Sequence, residues 1–334
     1  MAAAREHRGV REHPTGRPWR RRGRHQFAEA ARGATPIGAH TVTGMKWIIG
    51  IDLGERSEGA IEMAAWLHAH HRDPQSAAPT LVGAYVLDGA ARSRAEHAGG
   101  GAIVARAEAA LQQAVARAEA TAMIGELRVL EAPAIDDALA RAATEPQVDG
   151  LVLGRIAARD SHALVRLGSI ARRMLRRLPA PVMIVPPDLP RDRVGKGPIL
   201  VATDLGASAV RATQLGERLA KDLGRELVVA HVDCTMRAWP TFYGEGIAQV
   251  ATTPTRTRAD VGDWQSLHGL GGEPRVLSGM TPLDGLMAEA DRIDAPVVVC
   301  GAEHVGPLDR LFGSSTASDL ARLSRRAVLA VPAV

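Results

Sequence analysis

The chain contains little cysteine, few aromatic residues and no long apolar run, and each shortage excludes a class of protein. Its 334 residues include two cysteines, Cys234 and Cys300, so neither a disulfide framework nor a zinc-ligand spacing is present. We therefore expect a reducing compartment, the cytoplasm. No apolar stretch approaches the ~18 residues that a membrane span requires. Aromatic residues make up 3% of the chain, so the core must be aliphatic, which suits buried parallel strands under Ala-rich helices.

The positive charge of the chain is confined to one end. The formal net charge is +4, but residues 1–44 carry nine Arg and three Glu, which leaves −2 for 45–334. This near-neutral remainder argues against nucleic acid as a partner. Residues 1–44 show no apolar periodicity, and we expect an Arg-rich disordered tail there rather than a secretory signal. Met45 directly precedes the first predicted strand and is an alternative start of the protein.

Two short patterns occur twice, about one domain length apart. A strand-like run that ends in Asp-Leu-Gly places Asp52 and Asp204 152 positions apart. A second apolar run ends at Gly154 and again at Gly301, 147 positions apart. A repeat of this length is a whole domain rather than a solenoid unit. The sequence therefore predicts a tandem duplication of one domain.

Each half alternates apolar strand-like runs with amphipathic, Ala-rich stretches. This order predicts an α/β fold of two tandem, doubly wound, parallel five-stranded sheets. The domains are predicted at 45–187 and 198–334, with a Pro- and charge-rich linker at 188–197. In the strand order 3-2-1-4-5, strands one and four flank the point where ligands bind. The repeated Asp and Gly residues should therefore meet in one cleft per domain.

The positions of individual elements follow from the same patterns. The least interpretable stretch is 239–272, which is polar and rich in Thr and Gly. Predicted helices in the first half cover 57–70, 102–122, 135–143 and 169–178. Predicted strands lie at 47–51, 80–87, 126–130, 150–153, 182–185, 199–202, 226–232, 275–278, 297–300 and 327–331.

The segment 151–186 is typical of an anion-binding site. A strand ends at Gly154, and Gly168 and Ser169 open a helix that carries four arginines on its polar side. The free N–H groups and the dipole at a helix N-terminus attract anions, most often phosphate. An ordinary helix cap explains Gly168 and Ser169 equally well. For Asp52, the alternatives are a polar partner for a ligand and a turn residue after the strand.

With these motifs in both halves, residues 45–334 resemble the universal stress protein family in its tandem form. The family motif after strand four is G-x2-G-x9-G-[S/T], followed by a helix and an apolar strand, as in GSIARRMLRRLPAPVMIV from Gly168 onward. ATP-binding members also have an Asp after strand one and a Val near the end of strand two that contacts adenine. The resemblance implies nucleotide-binding residues in the first domain at Asp52, Val86, Gly154, Ala157, Gly168 and Ser169. It implies weaker ones in the second domain at Asp204, Val232, Gly301, His304, Ser314 and Ser315.

Both motifs depart from the family pattern. In the first half, Ala157 replaces the second Gly, and ten residues rather than nine precede Gly168. In the second half, His304 replaces the second Gly and Ser314 stands where the third belongs. Glycine lets backbone approach a phosphate closely, and His304 adds bulk where a triphosphate would pass. We therefore expect nucleotide in the first half more than in the second.

The resemblance implies a stress-response regulatory protein that binds ATP or ADP, with Mg²⁺ accompanying ATP, and signals to an unidentified protein partner. A ligand-free scaffold of the same fold is the alternative.

The related adenine nucleotide α-hydrolases share the sheet topology, but their S-G-G-x-D-S-like loop is absent here, as is a Walker A motif. No nucleophile–base pair is evident, so we expect no catalytic residues and no enzyme; slow ATP hydrolysis could occur, but no residue is identifiable as its base. His68, His70 and His71 have no carboxylate partner at a useful spacing, so we expect no metal site. Single-domain members pair through their last strand; 182–185 and 328–331 could pair within one chain, giving a pseudo-twofold monomer, or the chain could form a homodimer.

Overall fold

The computed structural model describes residues 44–97, 102–156, 167–234, 256–279, 281–302 and 316–333. The predicted tail therefore lies outside the described residues, apart from Gly44. The strands are β1 (Lys46–Gly50), β2 (Thr80–Leu87), β3 (Ile124–Glu131), β4 (Gly150–Gly154), β5 (Val182–Val185), β6 (Ile199–Ala202), β7 (Leu227–Cys234), β8 (Glu273–Gly279), β9 (Val297–Ala302) and β10 (Ala327–Pro332).

These strands form one ten-stranded sheet in the order β3-β2-β1-β4-β5-β10-β9-β6-β7-β8. The first five have the predicted order 3-2-1-4-5, and the second five repeat it in mirror sequence. Strand pairs within each half are parallel. The two predicted five-stranded sheets are thus the halves of one continuous sheet.

The halves are joined by antiparallel pairing of β5 with β10. Val182 lies opposite Ala330, and Ile184 lies opposite Val328. All four of these side chains are buried. An unpaired strand edge attracts other strands, and here each half covers the other's edge, as the sequence predicts for 182–185 and 328–331.

Helices cover both faces of the sheet. Four of them pack with the cluster that contains Trp47, Trp66 and Leu215, and another four pack with the cluster that contains Ile48, Leu151 and Met174. The first group is α1 (Glu58–Ala69), α3 (Ile103–Arg117), α6 (Ala207–Asp222) and α7 (Arg258–His268), and the second is α4 (Ile135–Ala143), α5 (Ser169–Arg177), α8 (Pro282–Arg292) and α9 (Thr316–Leu323). No helix in the described ranges is both long and apolar enough to cross a bilayer.

Apart from strand bounds that differ by a few residues, the structure departs from the sequence prediction mainly in its helices. Helix α2 (Gly89–His97) follows β2 and was not predicted, because it has no apolar stripe. Helix α3 ends at Arg117 rather than at residue 122, since the backbone turns to a positive φ of 49° at Glu119. Helix α7 lies within the stretch that could not be interpreted, and it begins with a capping box between Thr257 and Asp260.

Candidate functional site

The first cleft lies where β1, β2 and β4 end and α5 begins. It encloses about 290 Å³, close to the lower end of the ~300–1,000 Å³ of small-molecule sites. The predicted residues that the structure describes in this half all line it: Asp52, Val86, Gly154, Gly168 and Ser169. The strand order reverses between β1 and β4, and this reversal brings the five residues together, as the sequence predicts.

Asp52 holds the turn that follows β1. Its Oδ1 accepts hydrogen bonds from the Gly54 N–H at 3.0 Å and the Ser57 hydroxyl at 2.5 Å. The Ser57 hydroxyl in turn accepts from the Asp52 N–H at 2.6 Å. Leu53, inside the turn, takes a left-handed φ of 63°. The turn role of Asp52 thus uses Oδ1, which leaves Oδ2 of this exposed carboxylate for a ligand.

Gly154 is a glycine for a packing reason. A β-carbon at this position would overlap the carbonyl oxygen of Arg56, because the Arg56–Ser57 backbone crosses the end of β4 there. The sequence assigns Gly154 to close approach of a phosphate. The structure shows a second reason for glycine here, one that lies within the protein.

Gly168 differs from Gly154 in this respect. Its φ of −57° is accessible to any residue, and a β-carbon there would meet only the end of the flexible Ile156 side chain, at 3.3 Å. It stands at the N-cap of α5 with no side chain capping the helix, and no acidic residue lies in the first turn. Ser169, the first helical residue, is exposed. The positive end of the α5 dipole therefore faces the cleft without a compensating carboxylate from its own turn.

Part of the cleft lining is apolar. Val86, near the end of β2, is 6% exposed, and Leu139 and Leu153 are similarly buried beside it. The cleft thus joins an apolar wall to a helix N-terminus. Planar apolar groups suit the first of these surfaces and anions suit the second.

Sequence reasoning missed two charged residues of the first cleft. Arg56 and Asp88 both line it. The Asp88 carboxylate caps α2 by accepting from the Ala91 N–H at 2.8 Å. Arg56 is exposed and makes no hydrogen bond or ion pair through its side chain with the part of the chain that the structure describes. A signal was available, because Arg56 lies only four positions after Asp52.

The second cleft, at the ends of β6, β7 and β9, encloses about 260 Å³. The predicted residues Asp204, Val232 and Gly301 line it. Asp204 forms the same turn as its counterpart, with Oδ1 accepting from the Gly206 N–H at 2.8 Å and Leu205 at a φ of 66°.

The two clefts differ in the residues that follow the turn. Four and five positions after Asp204 stand Ser208 and Ala209, where the first half has Arg56 and Ser57. The packing supports this equivalence, since a β-carbon at Gly301 would meet the Ser208 backbone at 2.7 Å. At these two positions the second cleft therefore has neither a cation nor a hydroxyl equivalent to that of Ser57, which fixes Asp52 in the first cleft.

Two further side chains distinguish the second cleft. His231 contacts the Thr203 carbonyl through Nδ1 at 2.9 Å. Burial raises the pKa of the Cys300 thiol to about 12, so this cysteine stays protonated and behaves as a small apolar side chain. The predicted residues Ala157, His304, Ser314 and Ser315 lie outside the described residues.

Comparison with known proteins decides the family. The sequence profile of the universal stress protein family matches residues 45–186 and again residues 197–332. The chain belongs to the universal stress protein family. A sequence search against curated proteins found no match.

Solved structures agree with the fold. A universal stress protein from Archaeoglobus fulgidus DSM 4304 is 18% identical, with a TM-score of 0.61 over 86% of this chain and 98% of that one. A functionally unknown protein from Pseudomonas aeruginosa PAO1, PA1789, is 16% identical, with a TM-score of 0.52 over 86% of this chain and 92% of that one. At these identities the likeness establishes the fold of this universal stress protein and nothing finer.

Proposed function

We propose that the first cleft binds an adenine nucleotide, ATP or ADP, and that the occupied state of the cleft is read by a protein partner during stress response. Membership of the universal stress protein family supports the stress-response role. The observation that carries the nucleotide assignment is the uncapped N-terminus of α5 at Gly168, which lines the same cleft as a buried apolar surface.

The two surfaces of the cleft suit the two ends of a nucleotide. The base packs on the wall around Val86 and Leu139, which is buried and apolar. The phosphates face the free N–H groups of α5 beyond Gly168. Arg56, on the same cleft, supplies a cation that can donate two hydrogen bonds to a phosphate.

Two carboxylates of the cleft, Asp52 and Asp88, can contact the nucleotide or its metal ion. The unused Oδ2 of Asp52 accepts from a ribose hydroxyl or a base N–H. When ATP brings Mg²⁺, Asp52 and Asp88 are the carboxylates on the cleft from which the ion would take a protein ligand. The one hydroxyl that contacts Asp52, that of Ser57, is engaged in the turn after β1, and the role that we propose for the cleft is binding.

The second cleft is proposed to bind nucleotide more weakly or not at all. In the first cleft the Ser57 hydroxyl holds Asp52, and we call this contact the clamp; in the second cleft Asp204 lacks it, because Ala209 stands in place of Ser57. Ser208 stands where the first cleft has Arg56. These losses affect the parts of the cleft that would hold ribose and phosphate. They add to the expected obstruction by His304.

Calorimetric titration of the full chain with ATP, ADP and adenosine tests the proposal. Gly168→Glu places a carboxylate at the N-terminus of α5, and we expect it to abolish ATP binding in the first cleft. Gly125→Glu is the control, because a β-carbon at exposed Gly125 meets nothing within 4 Å. ATP bound equally by wild type and by Gly168→Glu would remove the assignment. An absence of binding in wild type at millimolar Mg-ATP would favour a ligand-free scaffold.

A further inference from the structure

Arg155 connects the end of β4 to the second half of the chain. It directly follows Gly154, and its backbone N–H extends the β4–β5 pairing by donating to the Val185 carbonyl at 3.0 Å. Its side chain crosses between the halves, where Nη1 donates to the carbonyl oxygens of Ala321 at 3.1 Å and Arg322 at 2.8 Å. These are carbonyls of the last turn of α9.

The guanidinium is buried, so the contact with α9 matters to its charge. Arg155 is 5% exposed, and its Nε has no hydrogen-bond partner among the described residues. Burial lowers the pKa of Arg155, while the nearby charge of Asp188 opposes that shift. The last carbonyls of a helix lack partners within the helix and carry the negative end of its dipole. The end of α9 therefore stabilises a cation that would otherwise be buried with little compensation.

Each end of this connection reaches a cleft. On one side, Ile156, the next residue after Arg155, lines the first cleft and lies beside Gly168. On the other side, Thr316 and Ala317, in the first turn of α9, line the second cleft. Helix α9 is eight residues long, about 12 Å, so its last turn lies close to its first.

We propose that Arg155 is a positioning residue that couples the two clefts, so that a ligand in the first cleft changes the mobility of α9 beside the second. This rests on the proposed nucleotide binding in the first cleft. A nucleotide whose phosphates lie at Gly168 presses on Ile156 and fixes the short segment from Gly154 to Ile156. Arg155 carries that restraint to Ala321 and Arg322. By linkage, a ligand or contact that restrains α9 alters the affinity of the first cleft for nucleotide by the same factor.

Among the described residues, the second half has no counterpart of the Arg155 contact. The residue after Gly301, at the position that corresponds to Arg155, is Ala302, which has no side-chain donor. The reverse contact, from the second half to the last turn of α5, has no equivalent among the described residues. In the part of the chain that the structure describes, the link therefore runs in one direction only, from the first half to the second.

Hydrogen–deuterium exchange of the full chain, with and without Mg-ATP, tests the coupling. In wild type we expect ATP to slow exchange in the last turn of α9 by about fivefold or more, the lower end of typical coupling factors. Arg155→Met keeps the length of the side chain and removes its donors, so it should lose this protection while still binding ATP. Arg176→Met is the control, because Arg176 is an exposed arginine of α5, and it should keep the protection.

The outcomes separate this proposal from the one on which it rests. ATP binding without protection of α9 in wild type, or protection that survives Arg155→Met, would overturn the coupling. Without ATP, Arg155→Met should speed exchange both in α9 and at the start of α5, so this arm tests the link even if no nucleotide binds. If Arg155→Met does not fold, Arg155→Lys replaces it, because lysine keeps the cation; this variant should retain part of the protection that ATP gives to α9. Complete protection of α9 in Arg155→Lys, without hydrogen bonds from the lysine to Ala321 and Arg322, would also contradict the proposed positioning role of Arg155.

Discussion

Arg128 on β3 and Arg275 on β8 hold equivalent positions at the two outer edges of the sheet. Each contacts a glutamate two residues earlier on its own strand, Glu126 or Glu273. Each also reaches a glutamate beyond the strand, with Arg128 Nη1 at 2.9 Å from Glu145 and Arg275 Nη1 at 2.6 Å from Glu289. Charged side chains on an edge strand oppose pairing with other chains. Both halves thus protect their outer edge with the same group of charges.

The equivalent arginines should not contribute equally to stability. The Glu289 side chain is 6% exposed, whereas that of Glu145 is 38% exposed. Arg128→Met breaks a largely solvated pair, and we expect it to lower the free energy of unfolding by about 0.2–1 kcal/mol. Arg275→Met leaves a buried carboxylate with one fewer donor, and about 1–3 kcal/mol is expected. Urea denaturation of the two variants measures the difference; equal losses would mean that burial of Glu289 does not matter.

The pH dependence of stability should show the contribution of Glu289. Hydrogen bonds from Arg292, and then from Arg275, lower the pKa of Glu289, and burial opposes the shift. A carboxyl whose pKa is lower when folded stabilises the protein at pH above its ordinary value of about 4.5. This stabilisation is lost as the pH falls through the lower, folded value. Glu289→Gln should therefore be less stable than wild type at pH 7, and the difference in the free energy of unfolding should shrink towards pH 3. A difference that is constant with pH would assign the loss to packing.

Strands were predicted well where nearly every residue is apolar, because both faces of the strand are buried. The bounds of β2 and β5 agree with the prediction, because their apolar runs end sharply at polar or Pro residues. Strand β7 continues two residues further than predicted, to Cys234, since Asp233 still pairs with β8 opposite Ser278. The end of β7 is determined by backbone pairing with β8, which the pattern of apolar residues does not reveal.

The site was predicted in outline, but the packing requirement for glycine at one of its residues was not. Asp52, Val86 and Gly168 could be placed from the repeat and the family motif, and the structure brings them to one cleft. The need for glycine at Gly154 arises from the Arg56 carbonyl, a contact between segments about 100 positions apart. The reach of Arg155 to α9 likewise depends on tertiary packing, which a single sequence does not contain.

Alanine substitutions should separate the two glycines of the first cleft. Gly154→Ala forces a β-carbon into the Arg56 carbonyl, and we expect a loss of about 1–3 kcal/mol in the free energy of unfolding. Gly168→Ala meets only the end of the Ile156 side chain and loses at most about 1 kcal/mol, chiefly through a poorer N-cap. Thermal and urea unfolding without ligand measure both. Greater destabilisation by Gly168→Ala would contradict the packing difference between the two positions.

The clamp on Asp52 should affect ligand binding more than folding. Ser57→Ala, which reproduces Ala209 of the second half, removes both hydrogen bonds that the hydroxyl makes with Asp52. The carboxylate then loses its fixed orientation, and we expect adenosine and ATP to bind more weakly by a similar factor, about tenfold or less. Calorimetry with both ligands provides the measurement. Ala209→Ser is the reciprocal variant, and unchanged binding in Ser57→Ala would show that the clamp serves the turn alone.

Arg56 should discriminate between ligands that have phosphates and those that have none. Arg56→Ser gives the first cleft the residue found at Ser208, and it removes the cation without touching the apolar wall. A charge-assisted hydrogen bond contributes about 1.5–3 kcal/mol, so ATP affinity should fall roughly ten- to hundredfold while adenosine affinity stays within twofold. Arg117→Ser, at an exposed position of α3, controls for the change in net charge. Because electrostatic attraction is screened, the loss should also diminish at high salt. Equal losses for ATP and adenosine would place Arg56 outside the phosphate site and assign its effect to the shape of the cleft.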